Sequence, residues 1–333
     1  MINDRYGEAA SAMCEALGGA DFIGRLEREL SAMTKKSVAA TVSADGALHA
    51  ALHVLGVKRG DYVFLPSFAF YCCAATVEHA GGVPVFLDCD PVTRCVSPSA
   101  LETAFVWAEL QNKPPAAVVI DDAFGSVADY DVLVPMCASR NVPVIEFAVD
   151  ALGGSYRGIP CGANGRMGVI SFSKRLNGSG GALVCEKDDL PDVRKFIRAE
   201  YGDGESHEYK MHNIIAALDF GLMGAFEKIV ARAKTNLAAV CKEVDCIQPV
   251  AGDAGAYAFI RTADASALEK AGFTVKRVTP VHTLPKYSDS PFFEHEPDFS
   301  ACMSFSDRVL VDMDISLPKR LRLISILKKR ADI

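Results

Sequence analysis

Residues 171–181 read SFSKRLNGSGG, so a cationic residue, Lys174, stands between the apolar run MGVIS and a glycine-rich stretch containing Gly178, Gly180 and Gly181. A solvated loop lysine before a turn is the plain alternative. The sharper reading is a catalytic amine at the end of a core strand, with glycines admitting backbone close to a ligand. Other chemistry-bearing residues follow apolar runs in the same way. Phe70 comes after FLPS, Asp121 and Asp122 after AVVI, and Phe147 and Asp150 after PVIE. If those runs are parallel strands, their carboxyl ends open on one crevice. An amine among carboxylates there can hold or accept a proton, bind an amine-bearing substrate, or share a divalent metal with oxygen ligands.

The elements needed to place these residues are visible. YVFLPS (62–67), VPVFLDCD (83–90), AAVVIDD (116–122), VPVIEFAVD (142–150), MGVISFS (167–173) and GALVCEK (181–187) read as buried strands. Helical periods such as ADGALHAALHVLG and SPSALETAFVWAEL separate the early ones. Alternating strands and helices with continuously apolar strands predict an α/β fold, a mostly parallel sheet covered on both faces. Residues 211–240 read as one long amphipathic helix, and the chain beyond mixes short strands with a last helix. The expected division is a large α/β domain over 1–230 and a smaller α+β domain over 231–333.

Composition narrows the function. Of 333 residues half are hydrophobic and 23% charged, enough for a sizeable core, and the net charge of −7 argues against nucleic acid or an anionic membrane as partner. No basic segment precedes an apolar core at the start, and no apolar run reaches the roughly 18 residues of a membrane span. Eleven cysteines, an odd number without a CxxC pair, predict reduced thiols in a cytoplasmic protein rather than a zinc site. His49, His53 and His79 lie on apolar helical stretches and read as packing residues, Cys72 and Cys73 as core, and His207 as a loop residue. A GxGxxG fingerprint is absent.

VSADGALHAALHVLGVKRGDYVFLPSFAFYCCAATVEHAGGVPVFLDCDP, DDAFGSVADYDVL, VPVIEFAVDALGGSYRGIPCG, MGVISFSKRLNGSGGALV and EYKMHNIIAALDFGLM occur in an order that resembles the DegT/DnrJ/EryC1/StrS sugar aminotransferases. The likeness continues into FTVKRVTPVHTLPKY and covers nearly the whole chain. It implies fold type I, a homodimer, pyridoxal 5'-phosphate as cofactor and a small-molecule substrate, a keto-sugar (nucleotide-linked) or a related metabolite. By the same resemblance Lys174, ahead of Ser179 and the glycines, is the lysine that binds the cofactor aldehyde. Phe70 is the aromatic stacked on the pyridine ring, and His282 in TPVHTLP is a substrate contact.

Other positions depart from the family's pattern. Phe147 stands where an aspartate keeps the pyridine nitrogen protonated. Ala44-Asp45 replaces the Gly-Thr that cradles the phosphate, and Glu208 replaces an asparagine that reaches it across the dimer. Asp150 replaces a Gln or His, and Asp122 a His on the substrate side. A carboxylate about 4 Å from a phosphate charge costs about 4 kcal/mol at an effective dielectric near 20. The residues thus point to Lys174 and Asp150 as the catalytic pair of a sugar aminotransferase-like enzyme with an atypical cofactor site. Two alternatives stand beside it. One is an enzyme on the same scaffold that uses no cofactor, only Lys174 within a cluster of Asp45, Asp122, Asp150 and Glu208. The other is a non-catalytic partner subunit.

Overall fold

A computed structural model describes residues 2–176, 179–198, 208–287 and 299–331. Gly178 and His207 therefore lie outside the described residues. Two helices, α1 (Ile2–Leu17) and α2 (Phe22–Thr34), lead into β1 (Ser37–Thr41) and α3 (Ala44–Val54). Then come β2 (Tyr62–Pro66), α4 (Tyr71–His79), β3 (Val83–Leu87), α5 (Pro98–Leu110), β4 (Ala117–Asp121), α6 (Tyr130–Ala138) and β5 (Val144–Ala148). A two-stranded ribbon, β6 (Ser155–Tyr156) and β7 (Ile159–Pro160), precedes β8 (Met167–Ser171), β9 (Gly181–Cys185) and α7 (Leu190–Ile197).

The main sheet has the order β1-β9-β8-β5-β4-β2-β3. The strands from β8 to β3 run parallel, while β9 is antiparallel to both its neighbours. All six strands read from the sequence are present, each shorter than its apolar run. The seventh, β1, escaped notice: SVAAT is short and alanine-rich, and only its pairing to β9 makes it a strand.

The stretch read as one long helix is two, α8 (Asn213–Met223) and α9 (Phe226–Glu243), broken at Gly224. Close packing fixes α8 in place, since a Cβ on Gly221 would stand 2.4 Å from Ala9 Cα of α1. Phe226 and Val230 of α9 join the core under the main sheet, whereas Leu237, Val240 and Cys241 join a second core. That second core lies against the sheet β10 (Tyr257–Arg261), β11 (Val275–Arg277) and β12 (Arg308–Asp312), ordered β10-β12-β11 and antiparallel throughout. Helices α10 (Ala265–Lys270) and α12 (Leu317–Ala331) complete it, whereas α11 (Ser300–Ser304) sets Cys302 into the first core. The division expected at residue 230 thus falls inside α9, which is shared by both cores. Against the expectation of reduced thiols throughout, Cys241 and Cys246 are paired in a disulfide at the end of α9, their Cα atoms 4.9 Å apart, while nine cysteines are free. Five residues of separation and a helix end bring the two thiols together.

Candidate active site

Lys174 leaves the sheet three residues after the end of β8, and its side chain is only 7% exposed. Its Nζ lies 2.5 Å from Asp312 Oδ2 at the end of β12 and 4.0 Å from the ring centroid of Tyr257 at the start of β10. The short Nζ–Oδ2 distance makes Asp312 the close ionic partner of Lys174. Burial lowers the Lys174 pKa from the ordinary lysine value, and the charges of Asp312 and Asp150 oppose that fall. The glycines beyond Lys174 serve backbone contact. Gly180 adopts φ +131°, and a Cβ on Gly181 would stand 2.9 Å from the backbone nitrogen of Ala44. They let β9 pass against the first turn of α3.

Around Lys174 the two sheets meet. Asp150, 5% exposed, lies among Lys276, Lys174, Tyr257 and Arg175; burial raises its pKa and those groups oppose the rise. Lys276 of β11 donates to Tyr257 Oη at 2.7 Å and stands 5.3 Å from the ring of Phe70. Phe70, half-buried at the start of α4, meets Phe124 edge-on at 4.8 Å. Phe124 takes φ +55°, a left-handed conformation that is costly for a phenylalanine and is held by packing against Phe68 and Phe259. Tyr257, Lys276, Asp312 and Arg175 were missed in the sequence. The first three come from the small sheet, and only the last residue of the run RVLVD, an acid ending a strand, gave any signal.

The two aspartates after AVVI part company. Asp121, 3% exposed, has its Oδ2 unpartnered among the described residues; burial, then Asp150, pushes its pKa well up. Asp122 is wholly buried elsewhere, accepting from Ala128 N at 3.1 Å and Tyr130 Oη at 2.8 Å. Its other neighbour is Glu146, which accepts from Gly162 N, Asn164 N, Asn164 Nδ2 and Gly165 N at 2.6–3.3 Å. Burial, followed by the nearby Glu146, raises the Asp122 pKa well above the ordinary carboxyl range. Asp122 therefore is not gathered with Lys174 in this chain. Phe147 is fully buried in β5, in register with Asp121.

Ala44 and Asp45 open α3, whose cap is Ser43 accepting from Gly46 N. Asp45 is exposed, its charge acting on Cys72 and Tyr209, and an acid in a first turn also suits the helix dipole. Glu208 is exposed and pairs through its backbone with Arg198 in an isolated antiparallel β-bridge, and Ser179 is exposed. The carboxylate cluster expected around Lys174 is thus reduced within one chain to Asp150, joined by Asp312. Solvent at Asp45 and Glu208 also weakens their repulsion of a phosphate toward the water value of about 1 kcal/mol at 4 Å. His282 stacks on Phe299 at 3.9 Å, and its Nδ1 lies 2.5 Å from Ser67 Oγ at the end of β2; burial lowers its pKa. His49 is buried, with Nδ1 2.9 Å from Tyr209 Oη, and His53 stacks on Phe196, as packing residues do.

These features fit pyridoxal phosphate. Asp121 Oδ2 and Asp150 Oδ2 are buried polar atoms that meet no hydrogen-bond criterion among the described residues, Lys174 stands beside them, and the aromatic face of Phe70 and the first turn of α3 belong to the same rim of the sheet. Orphaned groups of this kind are expensive unless a ligand meets them.

Comparison with known proteins agrees with that chemistry. The sequence profile of the DegT/DnrJ/EryC1/StrS aminotransferase family matches residues 14–253. EpsN of Bacillus subtilis (strain 168), provisionally named a pyridoxal phosphate-dependent aminotransferase, is 30% identical over 294 residues, 80% of this chain and 76% of its own. GDP-perosamine synthase of Escherichia coli O157:H7 is 27% identical over 235 residues, 67% of this chain and 63% of its own. Among solved structures, the PLP-form of a provisionally assigned sugar aminotransferase from Streptococcus pneumoniae superposes with a TM-score of 0.85. The match covers 97% of this chain and 95% of that one; at 17% identity it speaks for the fold, which is that of fold type I aminotransferases.

Proposed function

Because the chain belongs to the DegT/DnrJ/EryC1/StrS aminotransferase family, we propose that it transfers an amino group to the ketone of a sugar, nucleotide-linked or free, with pyridoxal phosphate bound at Lys174. The observation that carries this reading is the buried Lys174 amine at the end of β8, its pKa lowered by burial, beside the unpartnered Asp121 Oδ2 and Asp150 Oδ2. A homodimer is part of the proposal.

Lys174 Nζ would bind the cofactor aldehyde, Phe70 would cover a ring face, and the backbone N–H groups opening α3 at Ala44 and Asp45 would meet the phosphate. When bound, the group supplies an electron sink that lets an amine and a ketone exchange functions. The chain's residues do the rest. Burial leaves Lys174 Nζ less firmly protonated than a surface lysine, so it can act as nucleophile and as proton carrier. Asp312 and Tyr257 hold it over the crevice, and Asp150 limits how far its proton affinity falls. Phe70, Phe124 and Tyr257 make an apolar wall that keeps water from the reacting atoms. His282, fixed on Ser67 and Phe299, is placed as a substrate contact at the end of β2.

The test is reconstitution with pyridoxal phosphate, followed by an amino-acid donor and a nucleotide-linked keto-sugar. A visible absorbance band that borohydride bleaches, together with aminated product, is the expected result. A protein that stays colourless with the cofactor in excess sinks the reading.

A further inference from the structure

A pyridine ring draws electrons strongly only while its nitrogen keeps a proton, and an acidic partner beside the nitrogen maintains it. Phe147, apolar and fully buried, cannot be that partner. Resting on the cofactor reading above, we propose that Asp121 is the acid that holds the proton at the pyridine nitrogen in this chain, displaced by one strand from β5 to β4.

Register comes first. Asp121 and Phe147 are Cα partners on neighbouring parallel strands. Such side chains leave the same face of a sheet, about 4.8 Å apart, so the carboxyl stands at the level where Phe147 presents a ring. The second observation is hydrogen bonding. Asp121 Oδ2 is buried and unpartnered among the described residues; Asp122 Oδ2 is likewise unpartnered, but Asp122 Oδ1 is held by Ala128 N and Tyr130 Oη and its carboxyl lies against Glu146 rather than Asp150. Surroundings are the third. Asp121 acts on the thiols of Cys72 and Cys73, which are weak donors, and the charge acting on it is that of Asp150.

Asp150, the other acid of the crevice, is a poorer choice. Lys276, Lys174 and Arg175 already oppose its charge, and Tyr257 faces it. Asp121 has no such opposition and, buried, keeps its proton. A proton-bearing carboxyl that lacks an acceptor suits a nitrogen with a free lone pair. The step balances within the pair: the Asp121 O–H bond breaks, an N–H bond forms at the ring nitrogen, and the electron pair stays on the carboxylate as counter-ion to the pyridinium.

The experiment loads the full-length protein with pyridoxal phosphate labelled with 15N in the ring, whose chemical shift separates protonated from unprotonated nitrogen. The unchanged protein is expected to show the protonated signal. Asp121→Asn is expected to lose it and to hold the cofactor about tenfold to a hundredfold more weakly, while borohydride still fixes a pyridoxyl group on Lys174. Adding Phe147→Asp to Asp121→Asn should restore the signal. An unprotonated nitrogen in the unchanged protein, or a protonated one in Asp121→Asn, overturns the proposal and leaves the cofactor reading standing. Failure to take up cofactor at all overturns that reading, and this proposal with it. Should Asp121→Asn not fold, Asp150→Asn supplies the converse, since loss of the protonated signal there transfers the role to Asp150 and overturns the assignment to Asp121.

Discussion

Two acidic sites sit side by side on β4 and β5 and are built in opposite ways. Glu146 receives three backbone N–H groups and an amide, and Asp122 is tied to Ala128 and Tyr130. One residue along each strand, Asp121 stands in register with Phe147; Asp121 Oδ2 and Asp150 Oδ2 meet no hydrogen-bond criterion among the described residues, and Lys174 Nζ pairs with Asp312 beside them. A carboxylate knitted in by the chain's own amides holds the fold together. One left open in a dry crevice costs stability and is ready for a ligand.

Lys174→Ala breaks the contrast most strongly. Loss of borohydride-dependent labelling and a fall in amino transfer of about a thousandfold or more are expected, with the thermal midpoint unchanged or raised, because a buried cation is removed. Glu146→Ala should do the reverse. Leaving the Gly162 and Asn164 donors without an acceptor should cost about 3–4 kcal/mol in a denaturant titration, with Lys174 labelling intact in whatever remains folded.

Asp219 of α8 is a third buried acid, with both oxygens unpartnered among the described residues and its pKa raised to about 7 by burial. It lies outside both clusters and controls for burial alone. The folded state binds the proton more tightly than the unfolded one, so the stabilisation is complete at low pH. It is lost as pH rises from about 4 to about 7. Asp219→Asn should flatten that slope and gain up to about 4 kcal/mol at pH 8 with little change at pH 4. A slope that persists in the variant assigns it to another group.

Asp45→Asn is the mildest change. If the exposed carboxylate repels the phosphate only through solvent, removing it should tighten cofactor binding by about 1 kcal/mol, roughly fivefold. A gain of several hundredfold would show that the carboxylate is shielded in the bound state.

The fold was readable because parallel strands covered on both faces leave continuous apolar runs, and the residues that end them mark the crevice. Lys174, Phe70, Asp150 and the pair Asp121 and Asp122 were picked out that way. Of that pair the sequence reading gave the substrate side to Asp122, which lies instead against Glu146, because the sequence does not say at which residue β4 ends and neighbouring side chains leave opposite faces. Tyr257, Lys276 and Asp312 were hidden by distance along the chain: nothing local to β10, β11 or β12 reveals that their residues close over Lys174. Glu146 was passed over because its four donors come from Gly162, Asn164 and Gly165, a turn without any regular pattern.

Mass analysis of peptides after borohydride treatment of the cofactor-loaded protein tests the central claim most directly. The account predicts a pyridoxyl group on the peptide carrying Lys174 and on no other. Modification of a different lysine, or of none, would contradict it.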